Sequence, residues 1–450
     1  MGPRRDGVTR VLCIDTDHVG LSFCLRAAMA GHEVKLFRYS KKPTKYGTGF
    51  SQYFTLVDDW RQHMAWAKDG LILLTANNRY VGELDRYRDL GWKTIFAPTP
   101  ASARLEIVRS VGMEAIQSVG GNIPPYQTFD SLKDAEAFAR KSDRVWVAKP
   151  AGDEEDKSLT YVSKDAADLV GWLQRQMRLG KKLNGKLILQ EKIERLAEIG
   201  ISGWVGPAGF LPDKYQLCFE FKPLHAGDIG QNTGEQGTIT KYTDSDKLAD
   251  EMLLPMEPIL KALGHTGDFA VGAMIGADGK SYFLEFTCRL GWPAFWIQMA
   301  SHRGDPVSWM CDLLKGEDTL KVSHDAAIGV VLTQPCYPFD TAPPEQVEGI
   351  PIRGVDETMP NVHLVEAMKG VGPVMENGQV VDRDVIETAG EYPLVVTALG
   401  TTVSKARKRV YNTIDNIHFP NVAYRNDIGS RLEKELPSLH KHGFASDVEW

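Results

Sequence analysis

The sequence predicts a multidomain protein of mixed α/β and α+β class that begins with a doubly wound sheet. An apolar run at 8–14, a helical pattern at 21–30 and a second apolar run at 33–37 give strand, helix and strand in succession. Apolar segments at 71–74 and 94–96 continue this sheet. Because 450 residues exceed what a single hydrophobic core usually holds, we expect roughly two to four domains.

Turn residues divide the rest of the chain into further units. Pro98-Thr99-Pro100 interrupts the apolar pattern and predicts the first domain boundary. Helices are predicted at 101–111 and at 131–140, the second with a serine as its N-cap. The apolar segments 145–149 and 187–191 are predicted strands. We therefore expect a second unit in which helices and strands are mixed.

A hairpin and a third unit are predicted in the second half of the chain. Asp278-Gly279, between the apolar segments 269–275 and 281–286, is a strong signal for a β-hairpin. A strand at 327–332 opens the third unit. The sequence from residue 431 onward is polar, which predicts a loosely held tail.

Composition and charge exclude several classes of protein. Apolar residues make up 43% of the chain and charged residues 25%, as is usual for globular proteins. The net charge is −7 and the isoelectric point is near 5.9, so there is no strong signal for nucleic-acid binding. No apolar run is long enough for a membrane span, and no leader pattern precedes the first strand. Because the six cysteines show no paired spacing, we expect a reduced, cytoplasmic protein, either a monomer or a homodimer.

Two segments of the sequence indicate a binding site. The first, 222–237, joins Lys222 to four glycines, which allow a backbone to pass close to a charged ligand. In the second, 282–293, Glu285 and Thr287 alternate with apolar residues. If this segment is a strand, both oxygen-bearing side chains lie on one face, where they can ligate Mg²⁺.

Single charges near these segments have an ordinary interpretation as well as a functional one. Lys149 at a strand end, Arg109 on an amphipathic helix and Glu198 are, taken alone, typical of solvated surface groups. In a functional interpretation, the Lys149 ammonium neutralises nucleotide phosphates. Glu285 lies between phenylalanines, where a buried carboxylate is costly unless it is paired or bound to a metal.

The two segments resemble the "GDxGPNTGGMG" and "EFNxRxGDPE" segments of phosphoribosylamine–glycine ligases, which belong to the ATP-grasp superfamily. Further matches follow in chain order: 99–109 is similar to "PTKAAAQLEGSK", 187–193 to "VIEEFL", and 410–429 to "AYxxVxxIxFxGxxYRxDIG". Chance motifs do not recur in the same order along nearly a whole chain. The sequence is therefore identified as a divergent member of this superfamily.

The resemblance implies a domain organisation and a set of ligands. It implies a doubly wound, pre-ATP-grasp domain at 1–98 and a two-lobed ATP-grasp domain at 99–323, with nucleotide and metal between the lobes. A small C-terminal α+β domain at 324–435 and a polar tail at 436–450 follow. The implied cofactors are ATP and Mg²⁺ or Mn²⁺. The implied partners are small-molecule carboxylate and amine substrates, with no membrane.

The resemblance also assigns roles to individual residues. Those implied in catalysis are Lys149, Lys222, Asn232 and Arg289. Those implied in binding the nucleotide are Arg109, which stands where the family has lysine, and Lys149, Lys157, Gln190, Glu191, Ile193 and Glu198. The implied metal ligands are Glu285 and Thr287. Those implied in binding substrate are Asp15, Asp17, Asp228, Gly230, Thr233, Gly234 and Trp292.

Departures from the family pattern fall mainly on the substrate side. The family's glycine-rich start is replaced by Ile14–Gly20, in which Asp15 and Asp17 precede a helix. Two carboxylates there would cap the helix but would oppose a phosphate group. The acids of "GDPE" are absent from Gly291–Ala294, and the loop at 153–156 is acidic. We therefore expect an ATP-dependent ligase whose substrates have changed.

Three functions are compatible with the sequence. The leading hypothesis is an ATP-dependent carboxylate–amine ligase that forms an amide bond through an acyl-phosphate. It would join an amino acid or similar carboxylate to a nucleotide-like or amino-bearing acceptor. The second is the phosphoribosylamine–glycine ligase of purine synthesis itself. The third is a non-catalytic nucleotide-binding protein, favoured by the acidic loop and by Thr287, which stands where the family has asparagine.

Overall fold

A parallel sheet opens the computed structural model, which describes residues 7–150, 160–183, 185–339 and 342–450. Its strands are β1 (Arg10–Asp15), β2 (Glu33–Arg38), β3 (Phe54–Val57), β4 (Leu71–Leu74) and β5 (Ile95–Phe96). They lie in the order β3-β2-β1-β4-β5, all parallel. The order reverses between β1 and β4, so the segments that follow these two strands border a crevice at the carboxyl edge of the sheet.

Helices cover this sheet as the sequence predicts. They are α1 (Gly20–Met29), α2 (Met64–Ala67) and α3 (Val81–Asp89). Residues 11–14 of β1 are fully buried on both faces, which explains why the strand reads as an unbroken apolar run. The predicted strand, helix and strand are confirmed, and β3 is an additional edge strand that the pattern does not predict.

A small antiparallel sheet with four helices forms the next unit. Its elements are α4 (Pro100–Ile107), α5 (Arg109–Ser118), β6 (Tyr126–Phe129), α6 (Leu132–Ala139), β7 (Trp146–Pro150), β8 (Tyr161–Val162), α7 (Ala166–Arg178) and β9 (Leu187–Glu191). The strand order is β6-β9-β7-β8. Ser131 caps α6 by accepting a hydrogen bond from the Asp134 amide, as predicted. The predicted helix at 101–111 is instead two helices, because Val108 is extended, with φ −111° and ψ 93°.

A large antiparallel sheet forms the centre of the molecule. The elements of this part of the chain are β10 (Arg195–Gly206), β11 (Gly209–Phe210), β12 (Tyr215–Glu220), β13 (Pro223–His225), β14 (Ile229–Asn232), β15 (Gly237–Thr243), α8 (Glu257–Ala262), β16 (Gly267–Gly276), β17 (Ser281–Thr287), α9 (Ala294–Ser301), β18 (His302–Arg303), α10 (Ser308–Leu313) and β19 (Lys321–Val322). The strands β13 and β14 form a separate two-stranded sheet, and so do β18 and β19. The predicted hairpin is β16 and β17, which pair antiparallel. Gly279 in its turn has φ +74°, which favours glycine.

The C-terminal third extends the same sheet. Its elements are β20 (Ala326–Leu332), α11 (Pro344–Val347), β21 (Glu348–Pro351), β22 (Val362–Leu364), β23 (Ala367–Glu376), β24 (Gln379–Ala389), β25 (Leu394–Gly400), α12 (Val403–Ile414) and α13 (Leu432–Lys441). The strand order is β17-β16-β10-β12-β15-β20-β25-β22. Because β15 pairs with β20, the sheet is continuous across the predicted boundary between 323 and 324. Because β15 and β20 pair with each other, neither has an exposed edge on that side. If the C-terminal third were an independent domain, both edges would be unpaired.

The predicted polar tail is a packed helix. Leu432, Leu436 and Leu439 of α13 are buried, and so are Phe444 and Val448 beyond it. The leucines recur at helical spacing, so they form one apolar face although the surrounding sequence is polar. The prediction of a loosely held tail at 436–450 is therefore wrong. Across the described ranges, none of the helices combines the length and the apolar character needed to cross a membrane.

Candidate functional site

Lys222 is the centre of a cluster of three carboxylates. Its Nζ lies 2.8 Å from Glu220 Oε2, 3.0 Å from Glu198 Oε1 and 3.3 Å from Glu285 Oε1. The three acids lie on β12, β10 and β17, which are close neighbours in the large sheet. Burial opposes the positive charge of Lys222, but the three carboxylates raise its pKa well above the ordinary value. Lys222 is therefore a fixed ammonium that holds three strands together at one end of the sheet.

Two further cations lie beside this cluster. Arg109, the first residue of α5, donates from Nη1 to the carbonyl of Leu284 at 2.9 Å, and its Nη2 is 3.9 Å from Glu285 Oε2. Lys149 on β7 donates from Nζ to Gln190 Oε1 at 2.8 Å. Burial first, and then the positive charge of Arg109, lowers the pKa of Lys149 to about 8. An anionic ligand such as a phosphate would relieve this repulsion between cations.

The structure thus brings together five of the predicted site residues from five separate segments of the chain. Their charges act on one another: Glu285 and Glu198 raise the pKa of Lys149, whereas Lys222 lowers it. Despite burial, Lys222 lowers the pKa of Glu198 overall. A pocket wall of alternating cations and carboxylates can bind a polyanion together with a cation. The five residues are Arg109, Lys149, Glu198, Lys222 and Glu285.

Glu285 and Thr287 lie on the same face of β17, as the alternation predicts. Both are half-buried, while Phe286 between them is buried against the core. Among the residues described, no group of three or more His, Cys, Asp or Glu side chains forms a metal cage. A carboxylate and a hydroxyl fit a divalent cation that takes its remaining oxygen ligands from nucleotide phosphates and water. The donor set is therefore compatible with magnesium bound together with a nucleotide.

The connector between the small sheet and the large sheet holds three more predicted residues. Gln190 is buried and orients Lys149. Glu191 forms an ion pair with Arg144, and its amide donates to the carbonyl of Pro125 at 2.7 Å. Ile193 is half-buried between β9 and β10. The Glu191 carboxylate is thus paired with Arg144 at the protein surface, and only the main chain of Glu191 lies at the connector. The nucleotide-binding role of these residues stays a prediction.

Arg289 connects the large sheet to the crevice of the first sheet through Glu106. The buried Glu106 carboxylate accepts from Arg289 Nε at 3.0 Å, from the Cys288 amide at 2.6 Å and from Asn77 Nδ2 at 2.8 Å. Asn77 follows β4, at the predicted crevice. The Glu106 carboxylate raises the pKa of Arg289. Sequence reasoning missed Glu106, although an acid among the apolar residues of α4 is a signal for a buried partner.

Asp15 is a helix cap and not a substrate-facing charge. Its carboxylate is fully buried and accepts from the amides of Val19 at 3.0 Å and Gly20 at 2.9 Å. The hydroxyls of Tyr46 and Thr75 also donate to it, both at 2.9 Å. The prediction that Asp15 faces a substrate is therefore wrong, because the α1 N-terminus and two hydroxyls saturate it.

Asp17, by contrast, is half-buried at the crevice. Burial raises the pKa of its carboxyl group, and the nearby Arg289 works in the opposite direction. Arg289 and Asp17 thus face the same space from two different sheets. The substrate-binding role predicted for Asp17 is compatible with this position and stays a prediction.

The loop after Lys222 is held by hydrogen bonds to the Lys222 main chain. The amide and the hydroxyl of Thr233 both donate to the carbonyl of Lys222, at 2.9 and 2.8 Å. Gly234 lies against Trp292: a Cβ atom there would be 3.4 Å from the indole. Asn232 and Gly230 are exposed on β14. Thr233, Gly234 and Trp292 therefore form one contact region beside the cluster.

Asp228 is engaged away from this region. Its carboxylate accepts from Arg425 at 2.9 Å and is 3.8 Å from Arg431. Arg425 is buried and also pairs with Asp427. The predicted substrate role of Asp228 is therefore replaced by a structural one, because two arginines of the C-terminal third hold the loop in place. The predicted residue Lys157 and the acidic segment 153–156 lie outside the described residues.

Two further buried acids, Glu235 and Asp268, lie near the site. Burial raises the pKa of Glu235 well above its ordinary value, and its Oε1 has no hydrogen-bond partner among the described residues. Burial raises the pKa of Asp268 to about 7, although Gln298 donates to its Oδ2 at 3.0 Å. Glu235 directly follows the predicted residues Thr233 and Gly234, and this position in a glycine-rich loop was the available signal.

This chain is similar to known proteins along most of its length. The family described as "Phosphoribosylglycinamide synthetase, C domain" matches residues 327–431. The phosphoribosylamine–glycine ligase of Salmonella typhimurium LT2 is 28% identical over 373 residues, covering 79% of this chain and 82% of that protein. The enzyme of the same name from Ralstonia nicotianae is 27% identical over 364 residues, covering 78% and 81%.

Solved structures share the fold. The phosphoribosylamine–glycine ligase of Thermotoga maritima superposes with a TM-score of 0.67 at 19% identity, covering 93% of this chain and 100% of that one. Biotin carboxylase of Campylobacter jejuni gives a TM-score of 0.60 at 14% identity, covering 97% of each chain. At these identities the likeness establishes the fold.

These similarities confirm the predicted fold class, with its C-terminal α+β portion, and the predicted enzyme class, a carbon–nitrogen ligase that forms ADP. The chain shares the fold of these enzymes and is similar in sequence to phosphoribosylamine–glycine ligases along most of its length.

Proposed function

We propose that this protein joins an amino acid or similar carboxylate to an amine in an ATP-dependent reaction that passes through an acyl-phosphate. The observation that supports this most is the convergence of Lys149, Arg109, Lys222, Glu198 and Glu285 at the end of the large sheet. Cations and carboxylates in this arrangement suit a nucleotide triphosphate with a divalent cation.

The proposed reaction has two steps, and neither needs an enzyme nucleophile. A carboxylate oxygen of the substrate attacks the γ-phosphorus of ATP, and ADP leaves. The amine nitrogen then attacks the acyl carbon, and phosphate leaves with the former carboxylate oxygen while one proton is released. Because both bonds form between bound substrates, the protein contributes positioning and charge stabilisation.

We assign a separate role in positioning or charge stabilisation to each side chain. Lys149 and Arg109 would bind phosphate oxygens of the nucleotide. Arg289, held by Glu106, faces the crevice and would bind the carboxylate and then the acyl-phosphate. Glu285 and Thr287 would hold Mg²⁺ or Mn²⁺, which supplies neutralisation of phosphate charge when bound. Lys222 keeps Glu285 and Glu198 at a fixed separation before the ligands arrive.

Two alternatives are distinguished by specific observations. Phosphoribosylamine–glycine ligase activity is supported by the relatives that carry that name. Asp17, half-buried in the crevice, argues against a phosphorylated amine there. A non-catalytic nucleotide-binding role is less well supported, because the Lys149, Glu285 and Arg289 side chains all occupy the site. The cytoplasmic location stays a prediction.

Replacing Lys149 tests the phosphate-binding side of the site. Lys149→Ala should reduce ATP turnover by about 10²–10³, because one preorganised positive charge is lost. The ammonium is charged below its pKa of about 8, so ATP binding by the wild-type protein should weaken as the pH rises through 8. Lys149→Arg should remove this pH dependence, because arginine stays charged.

Isothermal titration of ATP at pH 7 and pH 9 measures the effect, with steady-state ADP release as the activity assay. Lys141→Ala is a matched control, because Lys141 is exposed. Unchanged turnover of Lys149→Ala with an unchanged melting curve would remove Lys149 from the site.

Replacing the predicted metal ligands tests the role of β17. Glu285→Gln should abolish ADP formation that depends on a divalent cation, because the amide lacks the charge that a hard cation prefers. Thr287→Asn should leave activity equal or higher, because the amide oxygen is a better ligand than the hydroxyl. Initial rates across a magnesium titration measure both. A silent Glu285→Gln together with an inactive Thr287→Asn would show that the metal assignment is wrong.

The function itself is tested by ADP release from purified protein across pairs of amino acids and amines. We expect ADP release that requires both a carboxylate and an amine, and we expect an unphosphorylated amine to support it better than phosphoribosylamine with glycine. Efficient glycinamide ribonucleotide formation would favour the second function. No ADP release with any pair, despite tight ATP binding, would favour the non-catalytic one.

A further inference from the structure

An aromatic and acidic surface lies near Arg289. We call it the acceptor wall, and it consists of Asp17, His18, Trp292, Tyr337, Glu366 and Tyr392. None of these residues except Asp17 and Trp292 was predicted from the sequence. They come from the first sheet, the turn after β17 and the C-terminal third, so only the folded chain brings them together.

Ring contacts and hydrogen bonds show that the acceptor wall is continuous. The Trp292 and Tyr392 rings meet edge to face with centroids 4.6 Å apart, and Tyr337 lies 5.9 Å from Tyr392. His18 Nδ1 is 2.7 Å from Glu366 Oε1, and the Tyr392 amide donates to Glu366 Oε2 at 3.0 Å. Trp292, Tyr337, Tyr392, Glu366 and His18 are therefore linked by direct contacts, and Asp17 precedes His18 in the chain.

Asp17 carries a carboxylate that lacks a partner within the described part of the chain. No hydrogen bond or ion pair is made by its oxygens, although the residue is half-buried and burial raises its pKa. A half-buried carboxylate without a donor is costly, and a cationic ligand would satisfy it. Arg289 is near enough to act on the Asp17 charge but remains engaged with Glu106.

The rest of the acceptor wall also favours a cation. The negative charges of Glu366, Asp17 and Asp15 all act on the Tyr392 hydroxyl, and burial together with these charges raises its pKa well above the ordinary value. That hydroxyl is buried without a partner in the described ranges. Trp292 is only half-buried, so part of its ring stays accessible, and aromatic rings attract ammonium groups. A phosphate group here would meet the carboxylates of Asp17 and Glu366.

We propose that Asp17 and the ring of Trp292 bind the protonated amino group of an unphosphorylated amine, which is the acceptor substrate. This inference rests on the proposed ligase function and specifies the acceptor. Arg289 and Asp17 face the same crevice with opposite charges, so the carboxylate substrate binds at Arg289 and the amine binds at Asp17. The bound ammonium gives one proton to the Asp17 carboxylate before its nitrogen attacks the acyl carbon, and the two reacting groups are held on neighbouring side chains.

Three ligands that differ only in charge test this proposal directly. Benzylammonium, benzyl alcohol and benzyl phosphate present the same ring with a positive, a neutral and a negative substituent. Each is titrated into the wild-type protein without ATP, and binding is followed by calorimetry and ligand-observed NMR. We expect benzylammonium to bind at least about tenfold more tightly than either of the others. Equal or tighter binding of benzyl phosphate, or no binding of benzylammonium at millimolar concentration, overturns the proposal.

Two variants assign the effect to the acceptor wall. Asp17→Asn keeps the shape and removes the charge, so it should weaken benzylammonium binding about tenfold and leave benzyl alcohol unchanged. Trp292→Leu should weaken benzylammonium more than benzyl alcohol, because it removes the aromatic face but keeps apolar bulk. Asp143→Asn, at an exposed position, is the matched control and should change nothing. If Asp17→Asn binds all three ligands like the wild type and its melting curve is unchanged, Asp17 does not bind the ammonium group.

Because these titrations need no turnover, they separate this inference from the proposed function. Preferred binding of benzylammonium without ADP release for any substrate pair would contradict the proposed ligase function and support the cation site. ADP release that depends on a phosphorylated amine and is unaffected by Asp17→Asn would contradict the amine site at Asp17 and support the ligase function.

Discussion

The ion cluster at Lys222 is the interaction on which the arrangement of the site depends. Glu198, Glu220 and Glu285 lie on three strands of one sheet, and their like charges would repel one another without the ammonium between them. Breaking such a cluster by removing one partner is strongly destabilising, because the remaining charges are left uncompensated. Lys222 therefore fixes the separation of the acids to which we assign the nucleotide and the metal, and Thr233 donates a hydrogen bond from the neighbouring loop to the Lys222 carbonyl.

A second constraint joins this cluster to the first sheet. Glu106 accepts hydrogen bonds from Arg289 at the end of the large sheet and from Asn77 at the crevice of the first sheet. The nucleotide side and the substrate side are thus connected through one buried carboxylate. In the proposed reaction the acyl-phosphate forms between the two sides, so the position of Arg289 relative to Lys149 would determine whether the reacting groups meet.

Much of the fold could be predicted from the sequence, because its signals are local. The apolar runs of β1 and β4 and the hairpin turn at Gly279 lie where the pattern places them. The break between α4 and α5 at Val108 could not be predicted, because the apolar pattern continues through it. The pairing of β15 with β20 was also not predictable, since strand partners far apart in sequence leave no periodic signal.

The residues of the candidate site could likewise be predicted only in part. Lys149, Lys222, Glu198 and Glu285 were identified because the resemblance preserved their spacing, and the structure brings them together. Asp15 was misjudged, because its charge is saturated by α1 amides and by hydroxyls from distant segments, which a sequence does not show. Glu106 and the acceptor wall were missed for a related reason, since their partners lie on other elements.

The most direct test of the central claim is the transfer of oxygen from the carboxylate to phosphate. The purified protein is incubated with ATP, an amine and a pool of amino acids labelled with ¹⁸O in the carboxylate, and the inorganic phosphate is analysed by mass spectrometry. An acyl-phosphate intermediate requires that each phosphate released carries one labelled oxygen. Release of ADP with unlabelled phosphate would contradict the account, because water and not the carboxylate would then have attacked the γ-phosphorus.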